Sequence, residues 1–409
     1  MKNQIAALEA SNIRVASINS TISIDERDEI LKDLRHGHPH TRLLYVTPEY
    51  CRTSTFRQHL STVYSQGELA RIAIDEAHCI SEWGHDFRPA FLDLSYFRIT
   101  FPKTPVICLT ATATPHVRDS IITTLQLNPL KLKVFTTTTA RPNLHFHVHF
   151  FSDEDDTRFS KLLNLLRGIH SRRANNQSRS QELATTSTRF DAVSGIVYTS
   201  TRNECEQLAY RLRQEGIGAA PFHAGLQNAE KTTCQAKWLA NEPGYDVIIA
   251  TIAFGMGIDK TDVRFVVHWN IPKSFEGFYQ EAGRAGRDGK ASLCMLFYSR
   301  EDRDRAVLRV ANDARSKGGG SASAEQRENQ ISFRTESFRK LVEYCESTER
   351  CRHEFIAEFF GEGKQSAQCD FACDFCKDAE DLKRRKVNGL ATEEFVSTQH
   401  FGVESGEEL

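Results

Sequence analysis

Short apolar runs alternate with helical stretches twice along this chain, and that alternation limits the fold more than any other feature. Ala16-Ser17-Ile18, Arg42-Leu43-Leu44-Tyr45-Val46, the run from Arg71 to Ile74 and Pro105-Val106-Ile107-Cys108-Leu109 read as short buried strands within residues 1–150. A second series begins near Gly195, with Gly195-Ile196-Val197-Tyr198, Asp246 to Ala250 and Val263 to His268. Strands separated by helical crossovers pair in parallel, so the pattern predicts two α/β units with parallel sheets flanked by helices. A chain of 409 residues, 40% hydrophobic and 26% charged, has material for two or three domains and at least two cores.

The strand ending at Ile74 runs into Asp75-Glu76-Ala77-His78. It delivers two carboxylates to its C-terminal tip, where a phosphate-bound magnesium ion and an attacking water sit in nucleotide-hydrolysing folds. Asp75 would hold magnesium through its water shell, and Glu76 would position or deprotonate the water. Taken alone, the pair reads more readily as a solvated acidic turn. The sequence Thr110-Ala111-Thr112-Ala113-Thr114 shifts that balance. Small hydroxyl residues at the exit of a further strand suit a tight turn that contacts the carboxylates. A glycine-rich loop G-x-x-x-x-G-K-[ST] normally works beside such a strand. None occurs in the sequence: Gly289-Lys290 is followed by Ala291, and Gly363-Lys364 by Gln365.

Two further clusters carry chemistry. In Gln280-Glu281-Ala282-Gly283-Arg284-Ala285-Gly286-Arg287-Asp288-Gly289, the arginines are three apart and would share one face of a helix. Arginines so placed can clamp a γ-phosphate, although a solvated basic helix end reads equally well. Cys351, Cys369, Cys373 and Cys376 form a C-x17-C-x3-C-x2-C series able to close a tetrahedral zinc site. His353 is a further possible ligand, but four cysteines suffice. Cys345 and the scattered Cys51, Cys79, Cys108, Cys205, Cys234 and Cys294 read as core residues. The N-terminus reads as a helix with no signal-peptide character, and no apolar run approaches the ~20 residues needed to span a bilayer. The reading is a reducing compartment, where eleven cysteines point to metal and not to disulfides. A net charge of −2 requires any nucleic-acid surface to be a local basic groove.

Together these motifs resemble the RecQ family of superfamily 2 helicases. The run from Asp75 to Pro89 is similar to that family's DEAH box leading into an aromatic-rich loop. Thr47-Pro48-Glu49, Thr110–Thr114, Arg141-Pro142-Asn143-Leu144, Phe222-His223-Ala224-Gly225-Leu226 and the run from Ala250 to Lys260 match further motifs. The resemblance covers roughly residues 1–376, apart from an insertion.

It implies two RecA-like lobes with ATP between them, and 3′-to-5′ movement along DNA. It assigns catalysis to Asp75, Glu76, His78, Gln280, Arg284 and Arg287. ATP and Mg2+ would be handled by Asp75, Gly257, Asp259, Arg284 and Arg287. DNA, single-stranded and at duplex junctions, would meet Ser81, Trp83, His85, Phe87, Arg88, His223 and Thr251. Trp83 and Phe87 offer faces for base stacking worth about 1–3 kcal/mol per base. Zn2+ would sit on the four cysteines.

The implied domains are a partial lobe 1 over 1–149, lobe 2 over 150–312 with a solvated insertion near 168–192, and a linker over 313–330. A zinc-binding domain over 331–378 and a charged tail over 379–409 follow. The resemblance places the phosphate-loop element upstream of Met1, so lobe 1 is expected to lack an interior strand and to be poorly stable. A non-catalytic DNA-binding remnant is therefore the second reading, and a DEAH-type RNA helicase a third. Nuclear location is expected if the source is eukaryotic, cytoplasmic otherwise. Lys383-Arg384-Arg385-Lys386 reads either as a nuclear import signal or, more simply, as a solvated charge run.

Overall fold

The computed structural model describes residues 2–19, 22–81, 88–152, 157–175, 189, 192–255, 258–316, 324–363 and 369–397. The chain divides into two compact units, Met1–Thr137 and Thr138–Leu409.

In the first unit, β1 (Val15–Ile18) pairs in parallel with β2 (Leu43–Val46), and β3 (Ile72–Ile74) with β4 (Val106–Cys108). Helices lie between and after them, and three are opened by a hydroxyl cap. Ser23 accepts from the Glu26 amide at the start of Ile24–Leu34, Thr53 from Phe56 before Ser54–Ser65, and Thr114 from Val117 before Pro115–Thr124. Leu31, Leu34 and Val63 pack on Ile18 of β1. Among the described residues the two strand pairs do not join into one sheet. Their burial is correspondingly poor: Ala73 is exposed, and Leu43 and Ile107 are 40% and 36% exposed. Parallel strands are normally covered on both faces.

The second unit is the contrast. Its strands are β5 (Leu144–Phe150), β6 (Ser194–Tyr198), β7 (Ala219–Phe222), β8 (Val247–Ala250), β9 (Val263–His268) and β10 (Ser292–Tyr298). They form one six-stranded, all-parallel sheet in the order β5-β10-β9-β6-β8-β7. Every residue of β6 and β8 is buried. Separate apolar clusters fill the two sheet faces, one around Trp238, Phe254 and Phe275, the other around Phe151, Leu166 and Trp269. Gly195 is needed in β6, because a Cβ there would lie 2.0 Å from the Phe265 ring.

The helices Ala324–Glu346 and Arg352–Phe359 pack on the helix Phe275–Ala282 through aromatic rings. Phe275 stacks on Phe359 at 4.3 Å and meets Tyr344 edge-on at 5.5 Å. The buried Arg352 guanidinium donates to Asp374 at 2.9 Å, and the Val148 amide of β5 donates to the same carboxylate at 2.9 Å. The Phe146 amide of β5 donates to the Ala372 carbonyl at 3.0 Å.

Three expectations from composition change. The helix Thr157–Ala174 extends into the stretch read as a solvated insertion, while residues 176–188 and 190–191 lie outside the described residues. The connection read as a linker over 313–330 is helical up to Ser316 and again from Ala324, with 317–323 outside the described residues. The charged tail is in part a docked helix, Ala379–Ser397. Leu382 and Leu390 are buried, and Arg385 donates to the Val148 carbonyl at 3.0 Å. Gly389 lets the helix backbone approach Phe150, where a Cβ would come within 2.6 Å. Positions 398–409 lie outside the described residues. Lys383, Arg384 and Arg385 form ion pairs with Glu380 and Asp381, and Lys386 donates to the Glu346 carbonyl at 2.7 Å.

Candidate functional site

The Asp75-Glu76-Ala77-His78 turn is pinned to Leu109, the residue after β4. The Leu109 amide donates to the Ile74 carbonyl at 2.9 Å, and the Ala77 amide donates back to the Leu109 carbonyl at 2.9 Å. Between these bonds Glu76 takes a left-handed backbone conformation, φ +51°, which a non-glycine residue adopts at a cost. The Asp75 carboxylate is exposed and accepts from the Glu76 amide at 2.9 Å. His78 is buried, with Nδ1 3.0 Å from Thr110 Oγ1 and 3.3 Å from a Glu76 carboxylate oxygen. The threonine motif therefore reaches the acidic pair through His78, a link that the sequence reading does not contain.

Ser81 is fully buried, so in this conformation its side chain faces protein. Trp83, His85 and Phe87 lie outside the described residues. Arg88 is half-buried and donates to Glu49 at 2.5 Å, which joins the Thr47-Pro48-Glu49 motif to the end of the aromatic-rich loop. Burial opposes ionisation of Glu49. Hydrogen bonds from its own backbone amide and from Arg88 prevail and hold its carboxyl below the usual range.

In the second unit the candidate residues gather where β7 and β8 end, the edge at which open α/β sheets bind ligands. The Thr251 amide donates to the Phe222 carbonyl at 3.2 Å, and buried His223 has Nε2 2.8 Å from Glu206 Oε1. Gln280 lies half-buried on the last turn of the helix Phe275–Ala282. Arg284 and Arg287 are not on a helix, contrary to expectation. Gly283 caps that helix, and Gly286 takes φ +54°, so both arginines project from a turn. Each grips the loop after β8. Arg284 donates to the Gly255 carbonyl, and Arg287 donates to the Ile258 carbonyl at 2.9 Å and to Asp259 at 3.1 Å. Gly257 lies outside the described residues.

Residues without an expected role brace this turn. Arg141 donates to the Ala285 and Gly286 carbonyls at 3.0 and 2.9 Å, and Asn143 to the Gly286 carbonyl at 2.8 Å. A side chain at Gly286 would meet Asn143 Nδ2 at 2.5 Å. Glu281, beside the turn, lies 2.9 Å from Nε2 of buried His268. Only the Arg141-Pro142-Asn143-Leu144 motif hinted at this bracing.

The Sγ atoms of Cys351, Cys369, Cys373 and Cys376 all lie within 4.8 Å of one another, Cys351 and Cys373 at 3.9 Å. Four thiolates at ~2.3 Å from a tetrahedral zinc ion lie about 3.8 Å apart, so the set fits the ion with little adjustment. Hydrogen bonds from Cys351 and Cys369 pull Cys373 strongly toward the thiolate, while burial first, then the Cys373 charge, pushes Cys376 up to about 12. Thiols this close cannot all ionise without a cation among them. Elsewhere burial raises Cys51, Cys205 and Cys294 to about 12 and Cys108 and Cys234 to about 11, so these are inert at neutral pH, as their apolar surroundings suggested. Among the described residues no helix is long and apolar enough to cross a membrane.

Known families match three segments. The DEAD/DEAH box helicase family matches residues 1–120, the helicase conserved C-terminal domain 180–289, and the RecQ zinc-binding family 301–377. The "ATP-dependent DNA helicase Q5" of Rattus norvegicus is 39% identical over 392 residues, which cover 95% of this chain and 38% of the relative. The "RecQ-like DNA helicase BLM" of Xenopus laevis is 36% identical over 395 residues, covering 94% of this chain and 26% of the relative. The chain thus spans well under half the length of either relative. Among solved structures, the DUF1998 helicase MrfA bound to DNA matches with a TM-score of 0.54 and 16% identity, over 76% of this chain and 40% of that one, a likeness of fold.

Proposed function

This chain belongs to the RecQ family of superfamily 2 helicases, and on that premise we propose that it is the core of an ATP-dependent 3′-to-5′ DNA helicase. Asp75 handles the Mg2+ of bound ATP, and Glu76 orients the attacking water. His78 connects that pair to Thr110. Arg284 and Arg287 meet the γ-phosphate and offset charge that develops as it leaves, the role of an arginine finger. Gln280, Asp259 and Gly257 line the same nucleotide. DNA binds through Trp83, His85, Phe87, Arg88, His223 and Thr251, with phosphate contacts making affinity fall as salt rises. Zinc on the four cysteines supplies a crosslink that fixes the helices 324–346 and 352–359.

The observation that carries this reading is the arginine turn. Both guanidinium groups are held by carbonyls of the 255–259 loop and braced from Arg141 and Asn143, so their positions are set before any nucleotide arrives. The same reading extends to unwinding of junction-containing duplexes in repair, recombination and replication, and to a nuclear location. The test is ATP turnover by this chain with and without single-stranded DNA. DNA-stimulated turnover that Glu76→Gln and Arg287→Ala each abolish supports the helicase. DNA binding with no turnover overturns it.

A further inference from the structure

Tyr198 and His268, the last residues of β6 and β9, sit side by side in register. Their rings stack at 5.6 Å with planes 19° apart, and both are buried. Burial of an aromatic pair needs no special reason. Here, however, the polar atoms of both rings lead to the arginine turn.

Tyr198 reaches it directly. Its hydroxyl donates to the Phe254 carbonyl at 2.8 Å, one residue before the Gly255 carbonyl that Arg284 grips. Burial pushes the Tyr198 hydroxyl up, opposed by the charge of Arg284 and by a hydrogen bond from it. One oxygen thus stands between the loop after β8 and the guanidinium. Gly255 permits the close packing, since a Cβ there would lie 3.2 Å from Arg284 Nη2. Arg284 is only 7% exposed, and its Nε–H has no acceptor among the described residues. A buried donor left unpaired carries a cost, so the surroundings and not its own bonds keep this guanidinium in place.

His268 acts on the backbone that carries Arg284. Its Nε2 lies 2.9 Å from a Glu281 carboxylate oxygen, and its Nδ1 is buried without a partner among the described residues. A carboxylate only accepts, so the ring proton belongs on Nε2. Phe278, from the same helix as Glu281, closes on the imidazole at 5.1 Å. The Glu281 carbonyl accepts from the Gly283 and Arg284 amides. Glu281 therefore ties the helix end to the sheet at the residue where the turn departs.

We propose that Tyr198, His268 and Glu281 are positioning residues for Arg284, which fix the guanidinium before a nucleotide arrives. The inference rests on the helicase reading and extends it to three residues that do not themselves meet the nucleotide. Arg284 acts on charge that develops only as the γ-phosphate leaves, so a displacement of about 1 Å costs up to ~100-fold in rate.

The test is steady-state ATP turnover by the zinc-loaded chain with single-stranded DNA, for the parent, Tyr198→Phe, Glu281→Ala and Glu281→Gln. Tyr198→Phe keeps the ring stack and loses only the hydroxyl. Glu281→Gln keeps an acceptor for His268. The kcat of Tyr198→Phe and of Glu281→Ala is expected to fall by about 10- to 100-fold with KM for ATP unchanged, while Glu281→Gln stays near the parent. Urea titration establishes that each variant is folded under the assay conditions, so that lost stability is not read as lost positioning. An active parent with kcat unchanged in Tyr198→Phe, or Glu281→Gln as slow as Glu281→Ala, overturns the inference and leaves the helicase reading standing. No turnover by the parent overturns both.

Discussion

Removing the carboxylate of Asp374 should destabilise the second unit more than any surface change. Asp374 and Arg352 have side chains 0% and 1% exposed. Arg352 donates to Asp374 at 2.9 and 3.4 Å, and its remaining donor meets the Tyr344 carbonyl. Asp374→Ala leaves a guanidinium buried with one carbonyl for company, and breaking a buried pair in this way costs about 3–5 kcal/mol. The Val148 amide also loses its acceptor, a further ~1–3 kcal/mol if no water replaces it. The two losses share one site and do not simply add, so about 4–6 kcal/mol is expected.

The measurement is urea denaturation of the zinc-loaded chain in a Trp83→Phe background. The two remaining tryptophans, Trp238 and Trp269, then both report on the second unit. Zinc content is measured in parallel, so that metal loss is not mistaken for the ion-pair effect. Asp374→Asn should fall between parent and alanine variant, because it keeps an acceptor for Val148. Arg352→Met/Asp374→Leu should recover most of the loss, since apolar replacements remove the uncompensated charge. A cost under ~1 kcal/mol for the alanine variant, or a double variant no more stable than it, refutes the reasoning.

Three shorter predictions follow from particular contacts. Gly195→Ala drives a methyl into the Phe265 ring, so the second unit should lose ~1–3 kcal/mol or more, as overpacked cores do, measured by the same urea titration. Hydrogen exchange should be faster at β3 and β4 than at β6 and β8, because the former are part-exposed and the latter buried; equal protection would contradict the burial difference. Asp33 is opposed by burial but held down to about 2, against an ordinary 3.8, by the His40 and Thr41 amides. Its lowered value contributes stability that is complete above about 4 and lost as pH falls through about 2. The stability gap between parent and Asp33→Asn should therefore be present at neutral pH and close across that window, as followed by thermal melts of the first unit.

The acidic turn and the thiol set were legible because their chemistry is local: an apolar strand ending in Asp75-Glu76, and cysteines at ligand spacing. The arginine turn was half legible. Residue identities marked Arg284 and Arg287, but their spacing suggested a helix that Gly283 ends. The glycines were the available signal, since one closes the helix and the other takes φ +54°. Strand β5 was legible in principle, because Leu-His-Phe-His-Val-His-Phe alternates and its burial alternates with it. The helix 379–397 was not legible from composition. Its charge suggests a solvated tail, yet Leu382 and Leu390 are buried, the glycine faces Phe150, and Arg385 and Lys386 donate to carbonyls of the docked surface. The His78–Thr110 contact joins positions thirty-two residues apart, which no local pattern encodes.

Strand β5 stands at the end of the sheet order, and end strands offer unpaired amides and carbonyls to any passing chain. Here that row is occupied from within. The Phe146 amide goes to Ala372, the Val148 amide to Asp374, and the Val148 carbonyl to Arg385. The segment that carries the thiols and the helix after it is thus a sheath over a self-association edge. A protein shortened before Cys369 would lose the Asp374 ion pair and uncover that edge together, leaving a weakened sheet inclined to pair strand-to-strand with its own copies.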